Sequence, residues 1–271
     1  MVMKKYFIGI DSDGTAFDSM TIKHRKAFIP AMIRIWGLEG YASKVFEICE
    51  YINLYSPTRG IDRFSGLRVT FDSFAAAGIP VPDYSGLDGF LRDAGKLSNA
   101  TLTEYLKSHE DKFLSDVLVW SREADEVFQR EVEALMPFKM VKKVLEKAVP
   151  YADIAVISSA STASLESDWK KDGLLDCVSQ VYGQEFGNKK AQLKAATENK
   201  YASGCKLMLG DAKGDLEAAQ SAGAFFYPMI PGREEESWQE LFDKYLDIYL
   251  DGRFSAVQDE LLEKFNSAIR G

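Results

Sequence analysis

Histidine is nearly missing from this sequence: His24 and His109 are the only two in 271 residues. That leaves no histidine-rich metal box, so general acid–base work falls to carboxylates. Cysteine is almost as scarce. Cys49, Cys177 and Cys205 are an odd, scattered set with no C-x-x-C pair, which gives neither a disulfide framework nor a structural zinc site and fits thiols buried in a reducing cytosol. Basic charge is in deficit, with 33 Lys and Arg against 41 Asp and Glu and a net charge of -8. Without a basic arm or lysine block, that balance argues against nucleic acid and anionic membranes as partners. Long apolar runs are lacking as well. The N-terminal run, Tyr6-Phe7-Ile8-Gly9-Ile10, stops after five residues at Asp11, too short for a signal peptide or a spanning helix. No internal repeat or low-complexity tract is visible. The expectation is a cytoplasmic globular protein, monomer or homodimer.

What is present is ordinary in bulk and patterned in detail. A hydrophobic fraction of 46% and a charged fraction of 27% are typical of a chain with a real core. Apolar runs with strand character lie at Tyr6 to Ile10, Asp153 to Ile157, Lys206 to Leu209 and Ala224 to Ile230, with a weaker one around Val178 to Tyr182. Helical patterns over Thr162 to Lys171, Lys189 to Asn199 and Leu216 to Ala222 separate the later runs. Strands alternating with helices predict an α/β fold, a doubly wound parallel sheet. Between the first strand and the rest, Lys23 to Trp36, Tyr41 to Leu54 and Asp111 to Leu135 read as helices, and Gly78-Ile79-Pro80-Val81-Pro82 reads as a break between them. The expected organisation is an α/β domain formed by residues 1–19 and 137–271, interrupted by a mainly α-helical cap domain at 20–136. Ligands of open α/β sheets bind outside the carboxyl ends of the strands, so a module leaving the end of strand one is expected to overhang that edge as a lid.

The strand ends carry the chemistry. The first runs into Asp11-Ser12-Asp13-Gly14-Thr15, the second into Ser158-Ser159, and the fourth into Gly210-Asp211-Ala212-Lys213-Gly214-Asp215, while Gly187-Asn188-Lys189-Lys190 opens a helix. Two carboxylates one residue apart at a buried strand end are costly unless a cation or a chemical task compensates. Parallel neighbours would bring Asp11, Asp13 and Asp211 together. A hard divalent cation with oxygen ligands, Mg2+ above all, relieves that repulsion. A lysine beside them adds the positive charge that a phosphoryl group requires, and backbone N–H groups at the turn after Asp11 and at helix N-termini suit the remaining oxygens. The set reads as a phosphoryl-transfer site with a carboxylate available as nucleophile.

Asp11-x-Asp13-Gly14-Thr15, Ser158, Lys189 or Lys190, and Gly210-Asp211-x-x-x-Asp215 resemble, in order and setting, the four motifs of the haloacid dehalogenase superfamily. The resemblance implies a Rossmann-like core and an aspartyl-phosphate mechanism. Asp11 would attack phosphorus, and Asp13 would protonate the leaving oxygen and then deprotonate water. Ser158, Ser159, Gly14, Thr15 and the lysine would hold phosphoryl oxygens, with Gly14 also permitting the turn and Thr15 contributing backbone and hydroxyl positioning. Mg2+ would be bound by Asp11, the Asp13 carbonyl, Asp211 and Asp215. An aspartate at position 13 is similar to the phosphate-ester hydrolases rather than to the dehalogenase or phosphonatase branches. The lysine is not followed by the family's common proline, which leaves Lys189 and Lys190 both open, with Lys189 preferred as the catalytic one because Leu193 then begins the apolar helix face at the expected distance.

In the insert, Arg59 and Arg63 are candidates for reading an anionic part of a substrate, although the surrounding Ser56-Pro57-Thr58-Arg59-Gly60 also reads as a solvated loop. Trp36, Trp120, Trp169 and Trp238 read as core aromatics, and His24 and His109 as surface or helix residues. The leading expectation is a Mg2+-dependent phosphatase of a small phosphorylated metabolite. Its rivals are a phosphomutase with the same chemistry and a catalytically silent binding protein on the same fold.

Overall fold

The computed structural model of the chain describes residues 3–132 and 135–269. The chain divides into two compact units, one formed by Met1–Asp18 with Leu135–Gly271 and the other by Ser19–Ala134.

In the first unit five strands form one sheet: β1 Tyr6–Ile10, β2 Ala152–Ile157, β3 Gln180–Tyr182, β4 Lys206–Gly210 and β5 Phe225–Pro228, in the order β3-β2-β1-β4-β5. All four pairings are parallel. β1 is wholly buried and takes the centre, as its uninterrupted apolar sequence requires when helices cover both faces. On one face Phe7, Ala155, Ile157, Met208 and Phe226 pack with Leu193, Ala196, Ala218, Ala219 and Phe265. On the other, the Tyr6 ring lies 5.1 Å from that of Tyr249. The sheet winds to one side of β1 through β2 and β3 and to the other through β4 and β5, so the strand order reverses at β1.

Most elements differ from the sequence reading only at their ends. The fifth strand ends at Pro228 rather than Ile230, although the Met229 N–H still donates to the Gly210 carbonyl at 2.8 Å. The helix after β4 begins at Lys213, three residues before the expected start, because Gly214 and Asp215 belong to its first turn rather than to a loop. The helix read as Thr162 to Lys171 ends at Trp169, with Asp172 and Gly173 at positive φ just beyond. After Pro228 the chain is mostly helical through Gln258–Ala268. The first helix of that stretch, Glu234–Glu240, opens on three glutamates, Glu234 to Glu236, which the macrodipole favours in a first turn. The insert leaves and returns at adjacent points of this unit: Phe17 and Pro137 form a β-bridge, and the Phe138 N–H donates to the Ala16 carbonyl at 3.0 Å.

The second unit is helical. Ser19 to Ile35 is one continuous run that widens to a π-helix over Lys23–Phe28, just before Pro30 removes a backbone donor. Further helices lie at Ala42–Glu50, Arg63–Ala76, Gly86–Asp93, Asn99–Tyr105 and Lys112–Val132, and the Gly78–Pro82 break falls between the third and fourth of these six. Residues 133 and 134 of the span read as helical lie outside the described residues. Phe28, Met32, Phe71, Phe74, Phe90, Phe113 and Trp120 fill its core, and the Trp120 indole donates to the Phe28 carbonyl at 3.0 Å. The three cysteines are free thiols; Cys49 is buried, whereas Cys177 and Cys205 are only half-buried. Among the described residues no helix is long and apolar enough to cross a membrane.

His24 lies in the π-helical turn with its ring 5.4 Å from that of Phe28. The residue keeps a modest exposed edge, but its ring is enclosed by Phe28, Met32, Arg63 and Trp120. Burial, helped by the charges of Lys23, Arg59 and Arg63, pushes the imidazole down to about 3. The folded form is therefore neutral where the unfolded chain already takes a proton. Stability contributed by this residue is complete above the ordinary value of 6.5 and is lost as pH falls toward about 3. Urea titrations between pH 7 and 4 are expected to show a smaller acid-induced drop in midpoint for His24→Gln than for the parent chain; parallel curves would contradict this.

Candidate active site

The register sets the level of the site. Ile10 pairs with Val156 on one side and Leu209 on the other, so Asp11 stands level with Ile157 and Gly210, and Ser158 and Asp211 follow one residue on. The Asp11 N–H continues the ladder to the Leu209 carbonyl at 3.0 Å. Beyond Asp11 the chain turns sharply around the Ser12 carbonyl, which accepts from the N–H groups of Ala16 at 3.0 Å and Phe17 at 3.1 Å. Gly14 has φ 78°, a conformation costly for any residue with a Cβ. Two indoles brace the loop: Trp169 donates to the Ser12 hydroxyl at 3.0 Å and Trp238 to the Thr15 carbonyl at 2.7 Å. Both rings are fully buried.

Asp11, Asp211 and Asp215 are all buried, and a carboxylate oxygen from each lies within 4.8 Å of the other two. Lys189 bridges two of them, its Nζ 2.9 Å from Asp11 Oδ1 and 2.7 Å from Asp215 Oδ1. The Thr15 hydroxyl donates to Asp211 Oδ1 at 2.7 Å, and the Ala212 N–H donates to Asp215 Oδ2 at 3.1 Å. Asp215 thus braces the start of its helix and joins the cluster as well.

Three carboxylates and one ammonium meet in a dry setting. The balance shows in the acid strengths. Burial raises the Asp11 carboxyl well above its usual range; the Lys189 charge opposes this, while Asp215 and Asp211 push it higher. Asp215 is raised by burial, again against the pull of Lys189 and with the repulsion of Asp211. For Lys189, burial alone would favour the neutral amine, but the attraction of Asp11, Asp215 and Asp211 wins and keeps it charged far above the usual lysine range. Three buried carboxylates that offer only oxygen donors in one place are what a small divalent cation fits.

Several sequence-stated roles need correction. Two of the turn's backbone donors are already used: the Gly14 N–H goes to the Phe17 carbonyl at 2.8 Å and the Thr15 N–H to the Ser12 carbonyl at 3.4 Å. Gly14 and Thr15 therefore shape the loop, and the Thr15 hydroxyl orients Asp211 instead of facing a phosphate. Lys190 is exposed, and its ammonium pairs with Glu217 at 2.8 Å. Lys189 alone of the two joins the carboxylates.

Ser158 is buried, and its hydroxyl accepts from the Ala160 N–H at 3.2 Å; Ser159 is exposed. The cap of the following helix is Ser161, which accepts from the Ser164 N–H, so Ser158 is not needed for that purpose. Asp13 is half-exposed and its carboxylate is not one of the three in the cluster. Arg59 and Arg63 belong to the second unit. Arg59 is 4% exposed and donates to the Leu54 carbonyl at 2.8 Å, which overturns the solvated-loop reading. Arg63 pairs with Asp125 at 2.7 Å and donates to the Ser121 hydroxyl at 2.8 Å.

Two further contributors have roles that the sequence does not state. Gly210 is required by a close approach: a Cβ there would stand 2.3 Å from the Asp215 Cβ. Gly210→Ala is expected to displace Asp215 and to lower stability in urea unfolding by about 1–3 kcal/mol, the usual result of overpacking; an unchanged midpoint would contradict this. Gln192 is the second, fully buried one turn along the helix that Lys189 begins.

The sequence model of the family described as haloacid dehalogenase-like hydrolase matches residues 91–228, just over half of the chain. No curated protein matches the sequence significantly. Among solved structures, the chain is similar to a conserved haloacid dehalogenase-like protein of unknown function from Agrobacterium tumefaciens, at 15% identity and a TM-score of 0.51, covering 86% of this chain and 89% of that one. It is also similar to a haloacid dehalogenase-like family hydrolase from Streptococcus pneumoniae, at 16% identity and a TM-score of 0.44, covering 86% and 90%. At 15% identity the likeness to the Agrobacterium protein bears on fold alone.

Proposed function

The chain belongs to the haloacid dehalogenase-like hydrolases, and from that premise we propose that it is a Mg2+-dependent phosphatase of a small phosphorylated metabolite, working through an aspartyl phosphate on Asp11. One observation carries this reading: the buried cluster in which Asp11, Asp211 and Asp215 converge and Lys189 bridges Asp11 to Asp215. A cluster built only for stability would not keep three carboxylates together in a buried place where burial and repulsion oppose the ionisation of Asp11 and Asp215.

In the proposed reaction a carboxylate oxygen of Asp11 attacks phosphorus, and the bond to the substrate oxygen breaks. Asp13, half-exposed beside the loop, gives that oxygen a proton. Asp13 then takes a proton from water, which attacks phosphorus, releases phosphate and restores the Asp11 carboxylate. Lys189 and the Ser158 hydroxyl steady the phosphoryl oxygens, with Ser159 beside them. The Asp11, Asp211 and Asp215 carboxylates and the Asp13 backbone carbonyl are the groups that would hold Mg2+. When bound, the ion offsets the charge of the carboxylates and of the phosphoryl oxygens. The Thr15 hydroxyl keeps Asp211 turned toward the cluster.

Phosphate release from p-nitrophenyl phosphate and from a panel of phosphorylated metabolites tests the proposal. Release that requires Mg2+ and falls to background with a chelator is the expected result. A panel that yields no phosphate with Mg2+ present would contradict it, and release only after addition of a bisphosphorylated sugar would indicate a mutase.

A further inference from the structure

We propose that Gln192 is a positioning residue for this site, a clamp that fixes the Ser158 peptide and the Lys189 turn relative to one another; the proposal rests on the phosphatase reading above. Gln192 follows Lys189 by three residues in helix Lys189–Thr197, so the two side chains share one side of its first turn. It is fully buried. Its amide nitrogen lies 2.9 Å from the Ser158 carbonyl, 3.0 Å from that of Gly183 and 2.9 Å from that of Gly187. These carbonyls belong to three separate segments: the residue after β2, the residue after β3, and the turn that leads into Lys189.

The orientation of the amide has one solution. Turned over, its oxygen would face three carbonyl oxygens. As placed, two N–H groups serve three acceptors, while Oε1 has no hydrogen-bond partner among the described residues. A buried unpaired acceptor is unfavourable, so the side chain suits this place for its donors and in spite of its acceptor. Helix and sheet do not account for that arrangement, because the three carbonyls lie past the ends of the strands and outside the helix ladder.

The consequence falls on the groups that face phosphate. In a planar trans peptide the N–H points opposite to the C=O. Holding the Ser158 carbonyl therefore fixes the direction of the Ser159 N–H and the rotation of the Ser158 backbone. Holding the Gly187 carbonyl fixes the turn at φ 90° from which Asn188 caps the helix and Lys189 projects. Gln192 thus ties Ser158 to the turn that carries Lys189, adding to the backbone bonds that join the ends of β2 and β3, from the Ser158 N–H to the Tyr182 carbonyl and from the Gln184 N–H to the Ala160 carbonyl.

Gln192→Met keeps the length and removes both donors. Thr197→Val, which removes the buried hydrogen bond from Thr197 to the Leu193 carbonyl at 2.7 Å in the same helix, is the control for loss of stability alone. Turnover per folded molecule on p-nitrophenyl phosphate with Mg2+, with kcat and KM resolved, separates the two roles. The expected result is a fall in kcat of about 10- to 100-fold for Gln192→Met with KM changed far less, as for misplacement of reacting groups, and a kcat for Thr197→Val within about twofold of the parent. A Gln192→Met protein whose kcat matches that of Thr197→Val would overturn the clamp while leaving the phosphatase standing. A parent chain that releases no phosphate would overturn the phosphatase reading and this inference with it.

Discussion

Asp11→Asn is expected to lower phosphate release by about 10^4-fold or more, the scale seen when a covalent nucleophile is removed, without unfolding the protein. The carboxylate is the attacking group in the proposed reaction, and an amide of the same shape cannot take its place. Stability should move the other way. Asp11 is 3% exposed, and burial already works against its charge, as does repulsion from Asp215 and Asp211. An uncharged amide removes that repulsion, while Lys189 keeps its contact with Asp215. In metal-free buffer the variant should therefore unfold at the same temperature as the parent or a higher one. Opposite signs for activity and stability are characteristic of a functional site held against its own stability. Retained activity would sink Asp11 as nucleophile; a collapsed melting temperature would show that the carboxylate is structural.

Lys189→Met should lower both quantities. Lys189 is the cation that the described cluster sets against its three carboxylates, and its side chain is 17% exposed. Removing one partner of such a buried set leaves uncompensated charge and costs about 3–5 kcal/mol. Turnover should fall by about 10^2- to 10^3-fold through loss of charge stabilisation at the phosphoryl group. Added Mg2+ should recover part of the melting temperature, because a bound cation relieves the same repulsion. Lys190→Met provides the contrast. Its pair with Glu217 joins side chains that are 50% and 56% exposed, and pairs of that kind contribute about 0–1 kcal/mol. Activity and stability of Lys190→Met should both stay close to the parent. If Lys190→Met, rather than Lys189→Met, loses activity, the assignment of the lysine is wrong.

Both lysines and the aspartate are legible in the amino-acid sequence itself. β1, β2 and β4 stand out as apolar runs because central parallel strands are buried on both faces, and each ends in a polar group that the register brings to one edge. Donor accounting is not legible. Asp-x-Asp-Gly-Thr suggests a turn rich in free N–H groups, yet the Ser12 and Phe17 carbonyls consume those of Gly14 and Thr15. The steric reason for Gly210 is not legible either, since it arises from the Asp215 side chain folding back over it. Gln192 looks like one polar position in an amphipathic helix. Its three carbonyl partners lie between 5 and 34 residues away, and no local pattern encodes them. The helices after Pro228 escape a sequence reading for a related reason: Tyr245, Leu246 and Tyr249 are buried, and the Tyr249 hydroxyl donates to the Phe7 carbonyl at 2.8 Å, a contact that spans nearly the whole chain.

The central claim is that Asp11 carries the phosphoryl group. In Asp13→Asn the second step loses its proton acceptor, while an aryl phosphate, with a good leaving group, still allows the first. Acid-quenching that variant during reaction with p-nitrophenyl phosphate and Mg2+, followed by peptide mass spectrometry, reads the intermediate directly. The predicted result is one added phosphoryl group on the peptide that contains Asp11, absent from the double variant with Asp11→Asn. Release of p-nitrophenol with no phosphoryl group on the protein, or with one on another peptide, would contradict the account.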